Sequence, residues 1–523
     1  MQAFNINRNI YYSILLTTFL FVISYAFLNV SYIESDDLEM LKIAKGYYSL
    51  SPDEHLIFIN VIVGFVCKIL YKITFNIEWY SVIMIFLQFF SMSFILYVLF
   101  RNRSKKLLII LVSITFFYLI INIQFTLVSM LLGLAGILGI MNINERERFI
   151  SYIFPFLLLF FSSLIRFEAF CLVFVVGSMY VLLNKIALLK SPIFLKACTL
   201  LFFFIAFSIW INKLSYSSPD WSVYSKYNQM RGKINDNPNL SPNNISQIEK
   251  KLSVSNLEIN LFNSFVYTQS FNEEKLVNIA NEVSHPVDMK MYIGHVYYWL
   301  RYYKYAIVLV LITLLISRRM FITNLLPIAS LLLIFLIICY NHLPKDRIMM
   351  MLFFEVILFT LFINNFSNRL SYLICLLGII WMADNYQKGV NNIYRNCKND
   401  YLQLDPTKTY IPLFPIEYAY PNDIHPFDTR KYTEINMIAA GWLTNSPFQK
   451  FQLSALKLNT TIPISVLDLN TEKSNVVYLG KMNRENQTGL INSYLSTKNK
   501  KLKLTETKSN FCLYSIQKNI ENN

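Results

Sequence analysis

The sequence predicts an α-helical polytopic membrane protein with about 11 transmembrane helices and a small α/β domain at its C-terminal end. Two observations on the 523 residues support this fold class. Hydrophobic residues make up 55% of the chain and charged residues only 15%. The hydrophobic residues also fall in long runs that short basic clusters separate, a pattern typical of membrane-spanning helices and not of a soluble domain.

The first apolar run extends from Tyr11 to Val30 and contains no charged residue. A helix of about 20 such residues is long enough to cross the hydrocarbon core of a bilayer. No small-residue cleavage site follows this run, so we expect a retained anchor and not a secretory signal peptide.

The positions of the basic residues predict the topology, because cytoplasmic loops collect Lys and Arg. With Arg8 in the cytoplasm, the basic cluster at 101–106 is also cytoplasmic only if an even number of spans precedes it. Three apolar stretches precede this cluster, at 11–30, 56–73 and 80–100. The middle stretch carries Asn60, Lys68 and Lys72, and we therefore predict that it lies along the outer leaflet as an interfacial helix.

The remaining spans follow from the same rule. They are predicted near 107–123, 126–143, 149–165, 169–184, 197–212, 303–317, 322–341, 349–363 and 370–383. The N-terminus is then cytoplasmic and the C-terminus extracytoplasmic. Residues 1–383 form the predicted transmembrane domain, with a first outer loop at 31–79 and a large outer loop at 213–300, and residues 384–523 form an extracytoplasmic C-terminal domain.

The large outer loop and the C-terminal tail have the amino-acid composition of soluble proteins. Residues 244–282 of the large loop are predicted to be helical, and strand-like runs occur in the tail at 409–413, 475–480 and 510–516. Cys397 and Cys512 of the tail could form a disulfide in an oxidising compartment, although spacing alone does not decide whether their geometry allows it.

Several classes of function find no support in the sequence. It contains no Gly-rich phosphate loop, no zinc-ligand spacing and no Ser/His/Asp motif, and its five histidines are scattered. No cofactor is therefore assigned, and the use of a divalent metal stays open. The net charge of +15 is explained by cytoplasmic loops, and we expect no nucleic-acid partner.

Two adjacent acids, Asp36 and Asp37, lie just past the first span on the predicted outer side. A carboxylate there is suited to act as a general base. In the alternative interpretation Ser35 is the N-cap of a helix that begins near Leu38, and the acids only occupy its first turn.

The first span ends outside and is followed by the acid pair, a helix ending in Gly46-Tyr-Tyr, the surface helix, and a Glu78-Trp turn into the second span. This order of features resembles the GT-C superfamily of integral membrane glycosyltransferases. The resemblance is to protein O-mannosyltransferases and bacterial aminoarabinose transferases, and it covers residues 10–200 approximately.

The resemblance implies a polyprenyl-phosphate sugar donor, inverting transfer and an active site on the outer face with a first-loop carboxylate as the base. That role falls on Asp36, with Asp37 beside it. In the aminoarabinose enzymes a second acid precedes a Lys-Pro-Pro run. Here Glu54 stands near the corresponding place and completes the predicted catalytic carboxylates, but the Lys-Pro-Pro run is absent.

A phosphate leaving group requires fixed positive charge near the outer leaflet, where Arg can bind it bidentately. The candidates at outer span ends are Arg166, Arg301, Lys304, Lys345 and Arg347, with Arg347 as first choice. In the alternative interpretation Arg166 only pairs with Glu168, and the others only reach lipid headgroups.

The predicted function is transfer of a sugar from a polyprenyl-phosphate donor to an envelope glycan or lipid-linked acceptor. The Asn-, Ile- and Lys-rich composition suggests an AT-rich bacterial genome, hence the inner (plasma) membrane. One alternative is a lipid-linked O-antigen or polysaccharide polymerase. Another is a glycolipid transporter or flippase, which would place charges within spans. Glu355 is the clearest charge of that kind here.

Overall fold

A computed structural model of the protein describes residues 2–518 apart from a set of internal segments. Those segments are 103, 105, 144–146, 236–253, 265, 270, 284–288, 317–320, 342–344, 364–403, 406, 414–424, 428–434, 461–463, 470–475, 482–484 and 509–510. The predicted span at 370–383, the domain boundary at 383 and Cys397 lie outside the described residues.

The N-terminal part of the chain is helical. Its helices are α1 (Gln2–Phe27), α2 (Ser35–Lys45), α3 (Val61–Ile73), α4 (Trp79–Arg101), α5 (Lys106–Ile121), α6 (Phe125–Met141), α7 (Phe149–Ile165), α8 (Phe167–Asn184) and α9 (Pro192–Ser215). A two-residue parallel ladder joins β1 (Ser31–Tyr32), just before α2, to β2 (Asn122–Ile123), just before α6.

Helix α6 is the centre of this bundle, because every one of its residues is buried and it packs against α4, α7 and α8. Glycines at positions 133, 136 and 139 bring their neighbours close. A Cβ atom on Gly136 would lie 2.7 Å from Leu159 Cγ and 2.8 Å from the Pro155 carbonyl oxygen of α7. Small residues of this kind allow close packing between membrane helices.

Within the described residues, four helices are long and apolar enough to cross a membrane: Arg8–Phe27, Trp79–Arg101, Phe167–Asn184 and Pro192–Ser215. Shorter apolar helices accompany them at Leu108–Ile121, Phe125–Met141, Phe149–Ile165 and Pro327–Ile338. The chain is thus a multi-pass membrane protein, whereas the predicted total of eleven spans stays a prediction.

Helix α3 differs from these spans. It has 13 residues and is therefore about 20 Å long, too short to cross a bilayer core of about 30 Å. It begins at Val61 and not at Leu56 as predicted, because the Asn60 side chain caps it by accepting the Ile62 N–H. Its outward face is apolar, with Ile69 57% and Ile73 73% exposed, as an interfacial helix requires.

The large loop and the last described spans are also helical. They contain α10 (Pro219–Asn235), α11 (Asn256–Asn263), α12 (Glu273–Val283), α13 (Met289–Tyr302), α14 (Lys304–Ile316), α15 (Phe321–Asn341) and α16 (Asp346–Ile363). The prediction that residues 244–282 are helical is confirmed at α11 and α12 and wrong for the non-helical stretch between them. Residues 244–253 of that prediction lie outside the described residues.

The tail contains a five-stranded mixed sheet. Its strands are β3 (Thr409–Pro412), β4 (Asn436–Met437), β5 (Val476–Lys481), β6 (Lys500–Lys508) and β7 (Phe511–Lys518), in the order β4-β3-β5-β7-β6. β4, β3 and β5 are parallel, whereas β7 is antiparallel to both β5 and β6. Helices α17 (Pro447–Ala455) and α18 (Glu485–Ser496) accompany the sheet. The three strand-like runs of the tail form β3, β5 and β7.

The tail packs directly on the first outer loop. Leu38 of α2 is buried among Tyr410, Met437 and Leu513 of the sheet. The Tyr47 hydroxyl accepts the Met437 N–H at 2.7 Å and donates to a second tail backbone group, the Ile435 carbonyl. The helix that carries the acid pair is therefore enclosed between the helical bundle and the tail.

The contact between α6 and α7 gives a test of the bundle. We expect Gly136→Ala to lower the stability of the protein in detergent by about 1–3 kcal/mol, because overpacked cores lose this much. The measurement is the thermal unfolding midpoint. Gly232→Ala in α10 is the matched control, since a Cβ there meets no described atom within 4 Å. Equal midpoints for the two variants would contradict the close α6–α7 packing.

Candidate functional site

The acid pair lies in the first turn of α2. Gly46 ends this helix with a φ of 86°, and a Cβ there would lie 2.2 Å from the Ser51 carbonyl carbon, so only glycine fits. The alternative in which Ser35 is the N-cap is wrong. Glu34 is the N-cap, and Ser35 is the first helical residue.

Buried ion pairs hold α2 in place. Lys42 Nζ lies 3.2 Å from Glu39 Oε1 with both side chains fully buried, and Lys45 Nζ lies 2.9 Å from Glu78 Oε1 just before α4. The Tyr48 hydroxyl also donates to Glu39. Burial lowers the pKa of Lys42, although Glu39 opposes this effect. Since breaking one buried pair costs about 3–5 kcal/mol, the orientation of α2 is strongly fixed.

Asp37 faces inward and is fully buried. Its Oδ1 atom accepts the Tyr80 hydroxyl at 2.8 Å and the Phe125 N–H at 3.1 Å. The carboxylate therefore caps the start of α6 from another part of the chain. Its Oδ2 atom has no hydrogen-bond partner among the described residues. Burial raises the pKa of Asp37 well above its usual value, and the two hydrogen bonds oppose this shift.

Asp36 lies beside it but is half-buried. No described side chain forms an ion pair or hydrogen bond with it. Of the two acids, Asp36 is therefore the one that a substrate hydroxyl could reach.

Arg347, which is distant from this loop in the sequence, contacts it in the structure. Its Nη1 atom donates to Glu34, with 16% of the arginine side chain and 36% of the glutamate side chain exposed. Asp36 and Lys345 both act electrostatically on Glu34, and Arg347 acts on Asp37. The structure thus brings Asp36, Asp37, Lys345 and Arg347 together.

Helix α16 begins at Asp346, between these two cations. Asp346 accepts the hydroxyls of Tyr302 at 2.8 Å and Tyr303 at 2.7 Å. These bonds tie the junction of α13 and α14 to the start of α16. Arg301 and Lys304 flank the two tyrosines, but their side chains are exposed, and Lys304 Nζ lies 4.8 Å from the Tyr305 ring centre.

Arg166 lies at the junction of α7 and α8. Its Nε is 2.9 Å from Glu168 Oε2, so the predicted pair is present. The guanidinium also lies over the rings of Phe58 and Phe125, at 5.1 and 5.5 Å from their centres. Because Phe125 is the residue whose N–H binds Asp37, Arg166 lies near the acids without contacting them.

Glu54 belongs to a separate cluster. It pairs with Lys68 of α3, and Gly64 allows this approach because a Cβ there would lie 2.0 Å from the Glu54 carbonyl oxygen. The Asp53 N–H bonds to the Ile43 carbonyl, which places this cluster about 12 Å from the start of α2 along the helix.

The neighbours of Glu54 also form a polar cluster. His55 Nδ1 lies 2.8 Å from Asp53 Oδ1, and Nε2 lies 3.0 Å from Ser215 Oγ. Ligand atoms of Asp53, Glu54 and His55 come within 4.8 Å of one another, so this cluster could hold a metal ion. Each of the three side chains already has a protein partner. Hydrogen bonds thus connect Ser215, His55 and Asp53. The sequence does not show this arrangement, because 160 positions separate Ser215 from His55.

Glu34 is the residue that sequence reasoning missed. Its signal was its place two residues before Asp36 in the same outer loop, but only the fold shows its pairing with Arg347. Together these groups place the half-buried Asp36 in a loop that Arg347 contacts through Glu34. Such an arrangement can remove a proton from a hydroxyl and bind an anion.

The buried Asp37 predicts a pH dependence of stability. A carboxyl group whose pKa rises on folding destabilises the protein as pH increases from about 4, its value in the unfolded chain. We therefore expect Asp37→Asn to gain thermal stability relative to the wild type as pH rises, with the difference vanishing in acid. Unfolding midpoints between pH 4 and 8 measure this. A difference independent of pH would contradict it.

No family model and no curated protein matches this chain. Among solved structures, the chain is similar to the crystal structure of ArnT from Cupriavidus metallidurans bound to undecaprenyl phosphate. The match covers 98% of this chain and 98% of that chain, with 9% identity and a TM-score of 0.39. ArnT is a GT-C glycosyltransferase. At this identity and TM-score, the similarity assigns no role to any residue of this chain.

Proposed function

We propose that the protein is a membrane glycosyltransferase of the GT-C kind, which transfers a sugar from a polyprenyl-phosphate donor to a hydroxyl of an envelope glycan or lipid-linked acceptor. One observation carries the proposal: Arg347 reaches across 313 positions to the outer loop that holds Asp36. A general base and a phosphate-binding cation thereby share one site.

In this mechanism Asp36 takes the proton of the acceptor hydroxyl. The hydroxyl oxygen forms a bond to C1 of the sugar as the bond from C1 to the phosphate oxygen breaks. Half-burial suits this role, because the carboxylate can meet substrate while being partly shielded from water. Asp37 is buried and bonded to Tyr80 and Phe125, and it acts by fixing the position of the loop.

The leaving group is the polyprenyl phosphate, which gains negative charge as the bond to the sugar breaks. Arg347 is placed to bind it, and Lys345 adds positive charge from the preceding turn. The N-terminal ends of α2, α6 and α16 meet this region, at Ser35, Phe125 and Asp346. Helix N-termini carry partial positive charge and favour anions.

The other predicted residues take weaker roles. Arg166 does not contact Asp37. It lies over the ring of Phe125 and can support the site electrostatically. Arg301 and Lys304 flank the start of α16 and could meet lipid headgroups or the donor. Glu54 belongs to the cluster about 12 Å along α2 from its start, and its pairing with Lys68 makes it a structural residue of the first loop.

The site is proposed to face the outside of a bacterial inner membrane. In this arrangement residues 1–383 form the transmembrane domain, with eleven spans and a cytoplasmic N-terminus, and residues 384–523 form a domain that covers the first loop. Packing of Leu38 against the tail supports a joint unit on one membrane side.

The catalytic role of Asp36 has a direct test. We expect Asp36→Asn to lower sugar transfer by about 100-fold or more, since loss of a general base has this effect. Transfer of labelled sugar in isolated membranes is the measurement, with expression and the unfolding midpoint unchanged. Asp220→Asn removes an exposed carboxylate outside the site and is the matched control. Activity near the wild-type level in Asp36→Asn would refute the role.

The membrane side of the site has a separate test. Leu50 lies in the first loop with 87% of its side chain exposed. In intact cells, Leu50→Cys should react with an impermeant thiol reagent, whereas Lys190→Cys at the opposite predicted side should react only after permeabilisation. The reverse labelling pattern would place the acid pair in the cytoplasm and overturn the topology.

A further inference from the structure

The side chain of Glu34 binds Arg347 and not the helix that it precedes. Glu34 is the N-cap of α2, yet its side chain forms no hydrogen bond to the helix it precedes. Asp, Asn, Ser and Thr are the side chains that ordinarily accept a backbone N–H of the first turn from this position, and Glu is not among them. Here the carboxylate binds Arg347 instead.

Arg347 retains unused capacity for an anion. A guanidinium carries five N–H donors in a fixed fork, and Glu34 accepts from Nη1. The Nε atom is buried and has no acceptor within the part of the chain that the structure describes. A buried donor without an acceptor is costly, so this edge of Arg347 favours a second acceptor.

A second acceptor that binds Arg347 also interacts with the charges around Glu34. Arg347 and Lys345 attract the Glu34 carboxylate and Asp36 repels it, while Asp37 lies within the field of Arg347. A lipid phosphate that binds Arg347 therefore approaches a guanidinium that already holds one carboxylate. The phosphate and Glu34 repel each other and compete for the same cation.

We propose that Glu34 is a displaceable counter-anion: it orients Arg347 between turnovers and competes with the lipid phosphate for it, which hastens release of the polyprenyl phosphate product. This inference rests on the proposed function, because it takes the phosphate of the donor as the ligand. Glu34 is a positioning residue in this account, acting through Arg347 and not on the reacting atoms.

The protonation of Glu34 adds a dependence on pH. Burial raises the pKa of its carboxyl group, and Arg347 opposes that shift. A protonated Glu34 no longer competes with a phosphate. Competition is therefore strongest when pH lies above the pKa of Glu34, and it fades as pH falls through that value.

The test uses the full-length protein in detergent and undecaprenyl phosphate as the probe. We expect Glu34→Gln to bind this probe roughly fivefold more tightly than the wild type at pH 8. The ratio of the two dissociation constants should approach one as pH falls through the pKa of Glu34. Taking the ratio cancels only the effect of phosphate ionisation that both proteins share, the second pKa of the phosphate being about 6.

Two further variants sharpen the test. Asp220→Asn changes the net charge equally but breaks an exposed pair with Lys450, and it should bind as the wild type does. Arg347→Ala should lose binding in either background. These outcomes separate competition at Arg347 from a general effect of charge.

The contrary outcomes are distinguishable. Equal or weaker binding by Glu34→Gln, or a ratio that does not change with pH, overturns the role of Glu34 and leaves the proposed function standing. Absence of probe binding in the wild type overturns both. Loss of activity in Asp36→Asn is measured separately and does not depend on Glu34.

Discussion

The position of α2 depends on charges that are buried with their partners. Lys42 and Lys45 lie on the inward side of this short helix, and each is costly to bury without a carboxylate. Glu39 supplies one partner from within the helix, whereas Glu78 supplies the other from the start of α4. Because the helix cannot rotate or shift without breaking the Lys45–Glu78 pair, Asp36 and Asp37 at its first turn are held in fixed directions. The tail then covers the apolar side of the same helix through Leu38.

Local sequence patterns predict much of the fold but only part of the candidate site. Apolar runs and basic clusters predicted the helices, with α7 found at the predicted limits of 149 and 165, because the membrane imposes length and composition on each span. The Glu34–Arg347 pair was not predictable as a pair, since 313 positions separate its members. The alternative in which Ser35 caps α2 is wrong because capping depends on backbone angles that residue type alone does not determine. The Lys-rich strand β6 was missed because it has few of the residues that favour strands.

Glu355, a charged residue within a predicted span, is relevant to the alternative in which the protein is a transporter. Glu355 of α16 is fully buried, and neither of its carboxylate oxygens has a hydrogen-bond partner among the described residues. A Cβ on Gly177 of α8 would lie 2.9 Å from Glu355 Oε1, so the helices are packed tightly around it. A carboxylate on a transport pathway faces a water-filled cavity or another charge. The close approach of α8 to Glu355 is not the environment expected of a carboxylate on such a pathway.

Burial separates the roles of two acids that are adjacent in sequence. On a helix, neighbouring residues point about 100° apart, so one side of α2 can face the core while the next residue faces the site. Asp37 bonds to Tyr80 and to the start of α6, which joins α2, α4 and α6 at one carboxylate. Asp36 is left half-buried, in the loop that Arg347 contacts through Glu34. The geometry that makes Asp37 unsuitable as a base is full burial with its Oδ1 atom already bonded, and it leaves Asp36 as the acid of the pair to which the proposed function assigns that role.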